Sequence, residues 1–328
     1  MWYLQVVFDG FKSNLRNTLQ RGKRRVFDIV SVGHFCIDSI FLPERQTPFV
    51  VLGGAATYVS IAAARLEARV AAISKVGKDF PEAYRWWLEQ EGVNLHGLKK
   101  TEDDETTRFE LKYSADMSDR TLVLKGKAPP LTIEDLPNPL KTQAVHIAPI
   151  ADEITYEVAE SLKKCADVVS LDPQGLVRKF SADGHMVHSR LEDTSILDLV
   201  NIYKSSKNEI GAVTGLSDLH SAIKAVHDHG VEAVLVTLGD KGVVLSFEGT
   251  VYEIPACKPE KLVDPTGAGD AFIGGFLNEY VNDENIQRCA FVGVAAASLV
   301  VEGIGPTFLW DKAQVYQRAR ELYEKEIK

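Results

Sequence analysis

Asp264–Phe276, which reads DPTGAGDAFIGGF, leaves the chain few folds to choose from. Pro265 fixes its own φ and keeps Asp264 out of the helical region, so the chain arrives extended or turning. Gly267 and Gly269 admit backbone angles closed to other residues, and they leave no side chain between the backbone and a ligand. From Ala268 onward, Phe272, Ile273, Phe276, Leu277 and Tyr280 recur at helical spacing. A turn thus passes directly into a helix whose first N–H groups lack internal partners and whose dipole is positive at that end. Such a terminus is an anion site. Asp270 falls in its first turn, where its ordinary pKa of about 3.9 keeps it ionised at neutral pH unless it is buried. A carboxylate beside an anion hole suits a general base in phosphoryl transfer to an alcohol. The plainer alternative is a glycine-rich turn with an acidic helix start. No GxxxxGK[ST] loop occurs, and Phe272 stands where a dinucleotide fingerprint needs its last glycine.

The rest of the chain alternates strand and helix. Phe27–Val32, Val70–Ser74, Val145–Ala148, Val168–Leu171, Ile196–Tyr203 and Ala233–Leu238 read as buried strands. Ala55–Leu66, Thr155–Cys165 and Leu219–His229 carry helical patterns. This order predicts an α/β fold, a three-layer doubly wound and mostly parallel sheet with helices on both faces. Two stretches break the alternation, about 39–52 and 106–125, and both read as antiparallel strands outside the parallel core. The second alternates polar and apolar residues around Ser114–Asp119, as a hairpin does.

The 328 residues suffice for one large α/β domain, and the reading is a basic N-terminal extension over 1–25 followed by a single domain over 26–328. In the extension, Trp2, Leu4, Val6, Val7, Phe8 and Phe11 precede Lys12, Arg16, Arg21, Lys23, Arg24 and Arg25, the reverse of a signal peptide. A membrane-surface helix is the alternative for that segment. The net charge of −9 argues against a nucleic-acid-binding surface. Cys36, Cys165, Cys257 and Cys289 lie far apart, which fits free thiols in a cytoplasmic protein better than a disulfide framework. No apolar run is long enough to span a membrane.

DPTGAGDAFIGGF resembles the C-terminal signature of the ribokinase-like (PfkB) carbohydrate kinases, and the likeness covers about residues 26–310. It implies that Asp270 deprotonates a substrate hydroxyl and that the backbone of Gly267, Ala268 and Gly269 forms the anion hole. It also implies that the two antiparallel stretches form a small β lid over the acceptor. The ligands would be ATP, Mg²⁺ and a small sugar or polyol, with K⁺ as a further cation and a homodimer formed through the lid.

Other positions take roles on the same grounds. Asp38 in GHFCID follows the first strand, where ligands of open α/β sheets gather, and its carboxylate can accept two hydroxyl bonds. Gly53 and Gly54 match the family's paired glycines, although Tyr58 replaces the asparagine that follows them, which puts an ordinary ribose or fructose acceptor in doubt. Gln174 and Arg178, in the pattern DxQxxxR, resemble the myo-inositol kinases and their archaeal relatives. An exposed helical arginine is the alternative reading of Arg178. Glu209, four residues into SKNE with Ser206 in the family's asparagine position, would hold Mg²⁺ through water. Thr237, Gly239 and Gly242 resemble the nucleotide loop, and Asp264 and Thr266 the monovalent-cation loop.

The expected activity is therefore ATP-dependent phosphorylation of a sugar or cyclitol. A nucleoside kinase is the alternative within the family, and it requires an apolar pocket drawn from Phe41, Phe49, Tyr58, Phe109 or Tyr113. A sugar- or nucleotide-binding regulator that has lost catalysis is the alternative outside the enzyme class.

Overall fold

The structure, a computed structural model, describes residues 27–43, 45–117, 119–307 and 310–326. The readings of residues 1–25 lie outside the described residues. Strand β1 (Phe27–Val32) runs into lid strands β2 (Cys36–Phe41) and β3 (Phe49–Gly53), and helix α1 (Ala55–Arg65) follows. β4 (Val70–Val76), α2 (Glu82–Gln90) and β5 (Val93–Lys100) return to the main sheet, and β6 (Thr107–Tyr113) and β7 (Arg120–Gly126) complete the lid. Next come β8 (Thr142–Ile147), α3 (Tyr156–Lys163), β9 (Ala166–Leu171) and the short hairpin of β10 (Arg178–Phe180) and β11 (Met186–His188). β12 (Ile202–Ser206), α4 (Lys207–Thr214), α5 (Leu219–His227), β13 (Ala233–Thr237), β14 (Val243–Phe247) and β15 (Thr250–Ile254) finish the sheet. Three helices close the chain, α6 (Ala268–Tyr280), α7 (Ile286–Val300) and α8 (Lys312–Glu326).

The central sheet has the order β15-β14-β13-β12-β9-β8-β1-β4-β5. It is parallel from β13 to β5, and β14 and β15 add an antiparallel edge. From β1 the chain proceeds outward through β4 and β5, and from β8 outward the other way. The switch between β1 and β8 opens a crevice at the strand C-termini, where such sheets bind ligands. Each face of the sheet carries its own apolar core, one including Phe272, Phe276 and Val59, the other Val158, Leu162, Ile210 and Val226. The doubly wound expectation is met.

Two expectations are corrected. Ile196–Tyr203 is not one strand: Ser195–Leu199 forms a tight 3₁₀ turn and β12 starts at Ile202. Ile196, Leu197 and Leu199 are buried from that turn, so a continuous apolar run served two elements. The lid is likewise not wholly antiparallel. Its order is β3-β2-β6-β7, with antiparallel hairpins at either side but β2 and β6 parallel. β2 continues from β1 and β6 follows β5, two strands that leave the same edge of a parallel sheet in the same direction. In β6, Thr107, Phe109, Leu111 and Tyr113 point inward, and this face packs on Ala148, Ile150 and Ala151 beyond β8.

The Gly274–Gly275 pair in α6 serves packing. A Cβ on Gly274 would lie 2.8 Å from the Ala62 side chain of α1, and one on Gly275 3.2 Å from Gly293 of α7. Close approach of both neighbours fixes the helix whose first turn carries Asp270.

Candidate active site

The turn before α6 is built around Asp264. Its Oδ1 accepts the Thr266 N–H at 2.9 Å, and the N–H groups of Val263 and Asp264 bond to the Val301 carbonyl at the end of α7. Gly267 then caps the helix at φ 78°, in the left-handed region. A Cβ there would also lie 2.3 Å from the Tyr58 ring, so both backbone and space require glycine. The Ala268 N–H makes a long 3.3 Å bond to the Pro265 carbonyl, and the helix starts from there. Gly267, Ala268, Gly269 and Asp270 are all half-buried, so the helix terminus meets the crevice.

The terminus faces a cavity of about 50 Å³. Asp38, Gly54, Tyr58, Gln174, Arg178, Thr266, Gly267 and Asp270 reach it, as do Phe109, Leu111, Leu122 and Arg120 from the lid and Ile150 from beyond β8. The separate sequence stretches that carry Asp38, Gln174–Arg178 and Asp270 thus converge. Gly53 does not line the cavity. It makes room for Asp38, whose carboxylate oxygen lies 2.0 Å from where a Gly53 Cβ would be.

The carboxylates differ in setting. Asp38 is buried and accepts the Cys36 thiol at 3.0 Å. Burial pushes its pKa up to about 6, although the Cys36 hydrogen bond and the Arg120 guanidinium pull it down. Asp270 accepts a 3.4 Å bond from Gln174 Nε2. Burial raises its pKa too, against the opposing pull of Lys204 and Arg178. A carboxylate with a raised pKa matches the proposed task of a base better than an unperturbed one.

Arg178 is a strand residue, 8% exposed, with its Nε unpartnered. The helical, exposed reading is therefore overturned: Arg178 opens β10 beneath the lid, and burial lowers its pKa while Glu209, Asp172 and Asp270 raise it. Glu209 caps α4 reciprocally with Ser206. Its Oε2 accepts the Ser206 N–H at 2.8 Å while its N–H donates to Ser206 Oγ at 3.3 Å. Burial would raise its pKa, but Arg178, Lys204 and the Ser206 bonds bring it below the usual value.

Thr237, Gly239 and Gly242, expected to form a nucleotide loop, do not line this cavity. Thr237 ends β13 and donates to the Ser205 carbonyl at 3.3 Å. Gly239, at φ 65°, faces open space. Gly242, at φ 94°, is buried, and the Ile254 carbonyl would meet its Cβ at 2.0 Å, so its glycine character serves the β14–β15 pairing. Asp264 is 1% exposed and its Oδ2 has no hydrogen-bond partner.

Lys204 and Arg120 went unread in the sequence, and Tyr113 was read only as a pocket aromatic. Lys204, on β12, pairs with Asp172 at 2.5 Å and is 5% exposed. A lysine within a buried strand (IYKSS) was the available signal. Arg120 and Tyr113 of the lid form a chain to the turn before α6. Arg120 Nη1 donates to the Tyr113 hydroxyl at 3.2 Å, and that hydroxyl bonds Thr266 Oγ1 at 2.8 Å. The alternation of β6 already placed Tyr113 on the inner face.

Comparisons with known proteins agree with this fold. A cytidine kinase of Thermococcus kodakarensis is 30% identical over 285 residues, spanning 85% of this chain and 98% of that protein. A nucleoside kinase of Methanocaldococcus jannaschii is 31% identical over 302 residues, spanning 87% and 94%. Among solved structures, a pyrophosphate-dependent kinase of the ribokinase family, complexed with a pyrophosphate analogue and myo-inositol, shares the fold. Its TM-score is 0.76 at 23% identity, over 88% of this chain and 99% of that one. The model of the pfkB family carbohydrate kinases matches residues 26–313, so the chain belongs to that family and is a kinase.

Proposed function

We propose that the protein transfers the terminal phosphoryl group of ATP to a hydroxyl of a nucleoside, with Asp270 as the base. The observation that carries this reading is the cavity wall. Phe109, Leu111 and Leu122 of the lid and Ile150 offer an apolar face to a base, while Asp38 supplies the hydroxyl acceptor a ribose needs. Tyr58 and Phe109 are two of the aromatic residues a nucleoside pocket was expected to use. The names of the two relatives point the same way.

Asp270 takes the proton as the acceptor oxygen bonds to phosphorus and the bond to the donor's bridging oxygen breaks. The first turn of α6 stabilises the charge on the transferred group. Closure of the lid keeps water, a competing acceptor, away. Among the described residues no group of three His, Cys, Asp or Glu side chains comes together. Mg²⁺ would be carried mainly by the phosphates and keep much of its water, with Glu209 the residue that would contact it through water. When bound, it neutralises phosphate charge. The buried, unpartnered Oδ2 of Asp264 fits K⁺. Thr237 and Gly239 would meet the donor. The exposed Val50 on the outer lid gives a lid-to-lid dimer an apolar contact.

A cyclitol acceptor is the second reading. Gln174 and Arg178 both reach the cavity, and they are the residues that resemble the inositol kinases. Nucleosides, cyclitols and simple sugars tested in a coupled ADP-release assay decide. The highest kcat/KM should fall on a nucleoside. A cyclitol in that place would establish the second reading. Ligand binding without turnover of any acceptor would favour a regulator.

A further inference from the structure

Lys204 brings an ammonium group against Gly269 in the first turn of α6. It stands on β12, the neighbour of β9, where Tyr203 pairs with Leu171 and so brings Lys204 beside Asp172. Its Nζ lies 2.5 Å from Asp172 Oδ2. It also lies 2.7 Å from the point a Cβ on Gly269 would occupy. A side chain at 269 would push the ammonium off Asp172, so the glycine of the anion hole leaves room for a cation as well as for a ligand. Burial would discharge the lysine, but Asp172 first, then Asp270 and Glu209, hold its pKa above the ordinary value. These carboxylates favour its charged form. His146, buried nearby on β8, registers that charge: burial first and then Lys204 keep it neutral, with a pKa of about 3.

A buried ion pair contributes little to stability compared with an apolar pair of the same volume, so stability alone is a poor reason for this one. Asp172 satisfies one of the three ammonium donors in the structure. The ammonium nitrogen lies against Gly269 in the first turn of α6, with two further donors beyond the one given to Asp172.

We propose that Lys204 is a catalytic residue that binds the non-bridging oxygens of the phosphoryl group during transfer. The ammonium keeps its three protons throughout. The acceptor oxygen–phosphorus bond forms, the bond from phosphorus to the donor's bridging oxygen breaks, the acceptor's proton goes to Asp270, and the electron pair leaves with the donor. Lys204 supplies a fixed positive charge that the helix dipole alone provides only in part. The inference rests on the kinase reaction and not on the choice of acceptor, and its test does not depend on which acceptor is used.

Lys204→Met leaves the buried Asp172 carboxylate with the Gln174 N–H but no counter-charge, and is expected to unfold readily. The decisive variant is therefore Lys204→Gln combined with Asp172→Asn, a neutral pair of nearly the same shape. With the best acceptor of the panel, its kcat should fall about 10²–10³-fold, the usual cost of losing one preorganised donor to the transition state. Acceptor KM should change only a few-fold, and thermal unfolding should show a folded protein. Its affinity for ADP with aluminium fluoride, a mimic of the moving phosphoryl group, should fall by a similar factor. A folded double variant with kcat within fivefold of wild type, or with unchanged affinity for the mimic, would overturn the assignment. If the double variant fails to fold, the carbon-13 resonance of the Lys204 methylene next to nitrogen in the wild-type protein gives the answer. It must shift when the mimic binds, and no shift would overturn the proposal.

Discussion

Replacing Asp38 by asparagine should change how stability depends on pH. Asp38 is 4% exposed, and its carboxyl is raised from 3.8 to about 6, chiefly by burial. A carboxyl whose pKa rises on folding holds its proton more tightly in the folded state. The stability this gives is complete below about pH 3.8 and is lost as pH rises through about 6. Two pH units at about 1.4 kcal/mol each make roughly 3 kcal/mol. Asparagine keeps the shape, stays neutral, and its Oδ1 can still accept the Cys36 thiol. Urea unfolding of both proteins at pH 4 and pH 7.5 measures the difference directly. The stability of Asp38→Asn relative to wild type should rise by about 2–3 kcal/mol between those two values, part of the loss having already occurred at pH 4. Curves that stay parallel within about 0.5 kcal/mol would refute the burial argument. A change of opposite sign would show that Arg120 holds the carboxylate in a net favourable pair.

Other outcomes follow from the same geometry. The kcat/KM should fall as pH drops below about 6, because protonated Asp38 no longer accepts two hydroxyl bonds; a flat profile down to pH 5 would contradict its binding role. Gly267→Ala should lose at least about 1–2 kcal/mol from the left-handed backbone alone, and more from contact with the Tyr58 ring, as read by urea unfolding. Gly293→Ala should overpack α6 against α7 and cost about 1–3 kcal/mol while leaving KM unchanged, since its Cβ would sit 2.7 Å from the Phe272 carbonyl. Phe109→Ala should raise the KM of a nucleoside about tenfold or more and that of a cyclitol little; equal effects on both would remove the apolar-wall argument.

Much of this fold could be read from the sequence because its signals are local. The apolar runs at Phe27–Val32 and Ala233–Thr237 and the alanine-rich helix at Ala55–Arg65 carry their periods within a few residues. The helix start at Gly267–Asp270 was legible for the same reason, since proline, glycine and carboxylate each act on their own backbone. What stayed hidden depends on distant partners. Ile196–Leu199 and Ile202–Ser206 present one apolar run whose division is set by packing. The parallel pairing of β2 with β6 comes from the strands that feed them, about seventy residues apart. Lys204 looked like an ordinary strand residue until Asp172 and Gly269 were seen on either side of it. Gly53 was read as a ligand contact, whereas it clears space for Asp38, a fact that only the β2–β3 register reveals.

Asp270, at the N-terminus of α6, is the group we propose removes the acceptor's proton. The most direct measurement compares Asp270→Asn with wild type in single-turnover phosphoryl transfer to the best acceptor, with acceptor binding measured alongside. Asp270→Asn should fold, bind the acceptor within a few-fold of wild type and transfer phosphoryl about 10²–10⁴ times more slowly. A rate within a few-fold of wild type would contradict the assignment of Asp270 as the base.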